Sequence, residues 1–134
     1  MYRRDMVVDE ARRMALIIAK LLGLKAAGDY KAYKTEFDNV LESEYNTELE
    51  NLLALNPEEF DELIKSEKYS SEKLNALSQM LYVFAQPFEQ NEETKILLNK
   101  VMAIFDVLEE KYHFQSFDNL TKRNAIFRYF DIKI

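Results

Sequence analysis

Apolar side chains recur every three or four residues along nearly the whole chain, the spacing of helices that each bury one face. Over residues 5–27 they fall at Val7, Ala11, Met14, Ala15, Ile18, Leu21 and Leu22; Leu16, Ile17 and Leu24 lie off that face, as on a helix covered on two sides. Gly28-Asp29 reads as a helix stop, with Asp29 placed to cap the next start. A second helix over 30–45 presents Tyr30, Tyr33, Phe37, Val40, Leu41 and Tyr45 at helical spacing. Asn46 or Thr47 opens a short third helix carrying Leu49, Leu52 and Leu53. Asn56-Pro57-Glu58-Glu59 combines a backbone-capping amide, a proline suited to the first helical position and a glutamate that returns a capping-box bond. The helix it starts buries Phe60, Leu63 and Ile64.

Ser70-Ser71-Glu72 begins a fifth helix with Leu74, Leu77, Leu81, Phe84 and Phe88 on one face. Pro87 ends or kinks it, because proline removes a backbone donor and crowds the preceding turn. Asn91-Glu92-Glu93 starts the longest helix, which runs to about Tyr112 with a stripe of Ile96, Leu97, Val101, Ile104, Phe105, Leu108 and Tyr112. Ser116 opens a last helix that buries Phe117, Leu120, Phe127 and Phe130. Nowhere do apolar and polar residues alternate between turn signals, so no strand is predicted. The expected fold is all-α, an antiparallel helix-hairpin bundle of six or seven helices in a single domain. It divides into a hairpin at 5–45, short acidic helices at 46–69 that form the looser part, and long helices at 71–130.

Composition changes the picture mainly by exclusion. The chain has 134 residues, no cysteine, one histidine (His113) and two glycines. Without cysteine there are no disulfides, thiolate metal sites or thiol nucleophiles, and two glycines cannot build a phosphate-cradling loop. The net charge of −6 is unevenly spread: residues 1–34 carry +4 and residues 38–72 carry −9. The basic excess includes Arg3, Arg4, Arg12 and Arg13, which point in different directions on a helix and form no stripe, so neither nucleic acid nor a membrane is an expected partner. The apolar run Met14–Leu24 is far short of a membrane span, is interrupted by Lys20 and follows Asp5, Asp9 and Glu10, which argues against a signal peptide. A cytoplasmic protein is expected.

The turn Gly28-Asp29-Tyr30, between two amphipathic helices, resembles the turn inside a tetratricopeptide-repeat (TPR) hairpin. With Arg4-Asp5-Met6 and the run Ile17-Ile18-Ala19-Lys20-Leu21-Leu22-Gly23-Leu24, it resembles small uncharacterised bacterial proteins with all-helical, TPR-like folds. The likeness covers about the first 45 residues; no tryptophan starts a repeat, and no 34-residue period appears. The resemblance implies a TPR-like arrangement and brings no activity, cofactor or catalytic residue.

Three constellations bear on chemistry. Glu110 and His113 have the Glu-x-x-His spacing of di-iron bundles, but that chemistry needs a second such motif and two further glutamates. His113 fits better as a favourable charge at a helix C-terminus. The acidic run Glu42, Glu44, Glu48, Glu50, Glu58, Glu59, Asp61 and Glu62 lacks calcium-loop spacing and reads as solvated helix faces, open to a basic partner. Eight tyrosines and nine phenylalanines exceed what chemistry requires and read as core or as a contact patch. Tyr129, Phe130, Ile132 and Ile134 are the candidate interface, because Tyr129 lies off the Phe127/Phe130 face and the two isoleucines follow no helix stop. The functional expectation is a protein–protein interaction or scaffold module without catalytic activity, cofactor or metal, which binds a protein partner or self-associates, for example as a homodimer. The alternative is a small-ligand-binding bundle or minor enzyme with a pocket of Tyr, Phe and Met. An enclosed cavity with inward polar groups favours the alternative, and an open groove favours the module.

Overall fold

The computed structural model describes the backbone from residue 2 to 131 and side chains from residue 9 to 131. Seven α-helices and no strand occur among the described residues: α1 (Tyr2–Ala26), α2 (Tyr30–Tyr45), α3 (Leu49–Ala54), α4 (Pro57–Lys65), α5 (Ser71–Ala85), α6 (Glu92–Glu110) and α7 (Phe117–Phe130). The boundaries follow local chemistry. Gly28 takes φ +77°, and the amides of Gly28 and Asp29 return to the carbonyls of Lys25 and Leu24, closing the end of α1. The side chains of Asp29, Asn56, Ser70, Asn91 and Ser116 each accept a backbone amide at the start of the helix that follows. At α4 the box is complete: Asn56 Oδ1 accepts from the Glu59 amide at 2.8 Å, and Glu59 Oε1 accepts from the Asn56 amide at 2.9 Å. Of the two residues expected to open α3, Asn46 instead closes α2 in a left-handed conformation (φ 53°), and Glu48, not Thr47, precedes α3.

Ion pairs and hydrogen bonds fix how the helices run. Arg13 meets Glu44 at 3.0 Å and Lys20 meets Glu36 at 3.5 Å, so α1 and α2 are antiparallel. These exposed pairs mark the register and contribute little stability. Glu10 accepts from Ser70, and Lys25 donates to the carbonyls of Val83 and Gln86, so α1 and α5 run parallel. Asn75 meets Asn119 and Lys122 lies over Tyr82, which sets α7 parallel to α5. Helix α5 is the hub: it packs most extensively against α6 and then α1, and Leu74, Leu77 and Leu81 are at most 1% exposed.

The core is one continuous cluster that takes in every helix. Its aromatic excess is largely internal. Tyr33, Phe37 and Phe84 pack together, Tyr45 sits edge-on to Tyr69, and Tyr82, Phe88, Tyr129 and Phe130 form a chain of edge contacts. The short acidic helices are not a loose part: Leu49, Leu52, Phe60 and Ile64 are buried against this core.

Two burial expectations are overturned. On α1 the expected Val7 lies outside the described side chains; among the described positions of that face Met14, Ile18 and Leu21 are buried, while Ala11, Ala15 and Leu22 are exposed, as is Leu16 beside it. On α7 three of the four expected positions are turned outward: Phe117 is 87% exposed, with Leu120 and Phe127 also exposed, whereas Phe130 is half-buried against the core. The buried positions are Asn119, Ile126 and Tyr129, on the opposite side at ~100° per residue. The polar anchors explain this: Asn119 Nδ2 donates to Asn75 Oδ1 at 2.9 Å and the Tyr129 hydroxyl donates to the Glu89 carbonyl at 2.6 Å. A buried side-chain amide left without a partner is costly, so the Asn75–Asn119 pair fixes which face of α7 meets α5.

Candidate functional site: a groove between α3–α4 and α6

Helices α3 and α4 lie along α6 and leave a groove of about 730 Å³ between them. One wall is a stripe of α6, with Ile96, Lys100, Ala103, Val107 and Glu110 spaced by three and four residues. The facing wall comes from Leu53, Leu55, Pro57 and Phe60. Phe60, Lys100 and Val107 are buried and form the floor, whereas Ala54, Pro57, Asn99 and Asp106 are exposed at the mouth. The result is a trough open to solvent, not an enclosed cavity. The capping box at Asn56 and Glu59 secures its edge where α4 begins.

Lys100 is the one buried side chain of formal charge among the described residues, at 6% exposed. Its Nζ donates to the Leu55 carbonyl at 2.8 Å and lies 4.7 Å from the centre of the Phe60 ring. Burial pulls its pKa below the ordinary lysine value, with Glu59 opposing weakly from the α4 side. The mouth carries Asp61, Asp106 and Glu110 against Lys65. Asp106 is already engaged, at 3.1 Å from Arg123, which also pairs with Glu109 at 2.7 Å.

A second, shallower trough of about 340 Å³ runs between α1 and α5, lined mainly by Ala11, Ala15, Ala19, Leu22 and Ala76. It holds no buried charge. The buried Tyr33 hydroxyl has no hydrogen-bond partner, and burial pushes its pKa up to about 12. Tyr33 lines a space of about 10 Å³, too small for anything beyond one water.

Of the expected interface residues, Tyr129 is buried with its hydroxyl engaged, and Phe130 is half-buried against the Tyr129 ring. Ile132 and Ile134 lie outside the described residues. Glu110 and His113 do not share a helical face, because α6 ends at Glu110 and His113 follows in a left-handed conformation (φ 54°). Among the described residues no three His, Asp or Glu side chains converge as metal ligands. No described helix is long and apolar enough to cross a membrane.

The acidic run separates by role. Glu44 is held by Arg13 and Lys73, Glu59 caps α4, Asp61 borders the groove, and Glu42, Glu48, Glu50, Glu58 and Glu62 are exposed. The sequence reading missed Lys100 and Val107 as buried positions of α6. The signal was present: Lys100 stands four residues after Ile96 and seven before Val107, a second apolar stripe interrupted by one cation. Compared with known proteins, the chain matches no protein-family model, no curated protein and no solved structure.

Proposed function

We propose that this protein is a non-catalytic helical interaction module whose α3–α4/α6 groove receives an apolar segment of a partner protein. One observation carries the reading: the groove has a buried floor of Phe60 and Val107, yet its mouth is lined by exposed residues along more than three turns of α6. An open trough of that length suits a chain segment laid along it, as in helix-in-groove recognition. The exposed Phe117, Leu120 and Phe127 on α7 add apolar surface of the kind found at interaction sites. In this reading the module is TPR-like. Its support is the antiparallel α1–α2 pair and the parallel run of α1 and α5, the relation between the first helices of successive hairpins.

The test is photo-crosslinking in cells from a reactive side chain at Asn99, on the groove wall, with Lys31 on α2 as the control. A reproducible protein adduct from Asn99, absent from Lys31 and lost when Ala103→Arg fills the groove, supports the reading. Equal labelling from both positions refutes it.

A further inference from the structure

Lys100 poses an electrostatic problem that the fold itself leaves open. An ammonium carries three N–H donors, and the lysine that holds this one is 6% exposed as a residue. Its one hydrogen bond among the described residues goes to the Leu55 carbonyl, and the Phe60 ring covers a second side. Glu59, the acidic group that acts on it electrostatically, is itself exposed and hydrogen-bonded to the Asn56 amide. A carbonyl and a ring face compensate a buried cation less well than a carboxylate does.

The groove supplies the missing place. Lys100 lies on the α6 stripe with Ile96 and Ala103 on either side, facing Leu53 and Leu55 across the trough. Resting on the proposed reading of this groove, we infer that its occupant is a partner-protein segment that brings one carboxylate, flanked by aliphatic side chains, to the ammonium of Lys100. The flanking aliphatics cover the apolar walls, and the acid completes the hydrogen bonding of the cation. Asp61 and Glu110 at the mouth repel further negative charge, so the preferred segment has a single central acid and not an acidic run.

The probes are a capped, leucine-rich helical peptide with one central glutamate, its glutamine twin, and dodecanoate as a free-acid arm, each titrated calorimetrically against the full chain. The glutamate peptide is expected to bind at least about tenfold more tightly than its twin, the increment of a hydrogen bond to a charged group. That preference vanishes in Lys100→Met, which still binds the twin. Lys100→Gln keeps an amide donor for the Leu55 carbonyl and gives the same readout where the methionine variant does not fold. Equal binding of the two peptides by the wild type overturns the anchor while leaving the groove reading intact. Failure of both peptides to bind the wild type overturns the inference, and an Asn99 adduct that survives Ala103→Arg overturns the groove reading as well. Dodecanoate binding more tightly than the glutamate peptide assigns the groove to a small acid and overturns the protein segment.

Discussion

Tyr129 separates a packing role from a surface role more sharply than any other residue, because its sequence position suggests a docking tail and its surroundings are those of a core residue. The residue is 8% exposed, its ring makes edge contacts with Phe88 at 5.8 Å and Phe130 at 5.1 Å, and its hydroxyl donates to the Glu89 carbonyl at 2.6 Å. Truncating a buried aromatic to alanine costs about 3–5 kcal/mol. The position is the penultimate residue of α7, where neighbours collapse into the space readily, so the lower value of about 3 kcal/mol applies to Tyr129→Ala. Tyr129→Phe removes only the hydroxyl and costs about 1 kcal/mol. At roughly 2.1 cal/mol/K per residue, 134 residues give an unfolding entropy of about 0.28 kcal/mol/K. Alanine therefore lowers Tm by about 10 °C and phenylalanine by about 3–4 °C. Thermal melts followed by far-UV circular dichroism give these shifts, and light scattering after gel filtration gives the mass across a concentration series. An alanine variant with unchanged Tm refutes the burial argument. So does a Tyr129→Phe variant that melts like the alanine one, since the ring then contributes nothing.

Three further predictions follow from other parts of the molecule. Asn56→Ala removes half of the α4 capping box and is expected to destabilise the protein by about 1 kcal/mol, with hydrogen exchange accelerated first in α4; uniform acceleration in all helices would show that α4 has no independent edge. The Arg13 guanidinium, followed by Lys73, holds the Glu44 carboxyl below its usual range, so its stabilisation is present above the unfolded-state pKa and disappears as pH falls through the lower folded value. Denaturant titrations should show a flatter acid limb in Glu44→Gln than in the wild type; parallel limbs would remove Glu44 from the acid response. Lys100 has the opposite sense: the unfolded chain holds its proton more tightly, so its charge penalises folding at neutral pH and stability rises as pH climbs toward 10.5. The stability difference between wild type and Lys100→Met is expected to shift in favour of the wild type over that climb, and a difference constant with pH contradicts the burial of the charge. Comparing the two chains cancels the tyrosine titrations that act the other way, such as that of Tyr33.

Helix starts were legible because capping chemistry is local. Asp29, Asn56, Asn91 and Ser116 each need only their own next few residues to satisfy free amides, and tertiary context does not alter that demand. Facing was less legible where a helix carries apolar residues all round. On α7, Phe117, Leu120 and Phe127 offer one face and Ile126 and Tyr129 another, with Phe130 between them, and hydrophobicity alone does not choose. The choice rests on Asn119, whose partner Asn75 is 44 residues away and thus invisible to a local pattern. The groove escaped for a related reason. Its floor needs Lys100 buried, and a lysine at the centre of an apolar stripe reads as a solvated position until the Leu55 carbonyl and Phe60 ring are seen to cover it.

Methionine places a reporter in each of the two troughs. Met102 borders the α3–α4/α6 groove, Met14 lines the α1–α5 trough, and Met80 is buried in the core. With the methionine methyls labelled with carbon-13, the single-glutamate peptide is titrated in and the methyl spectrum followed. Binding in the groove predicts a saturable shift of the Met102 methyl while Met14 and Met80 stay in place. A saturable shift at Met14 with Met102 unmoved would transfer recognition to the α1–α5 trough and contradict the account.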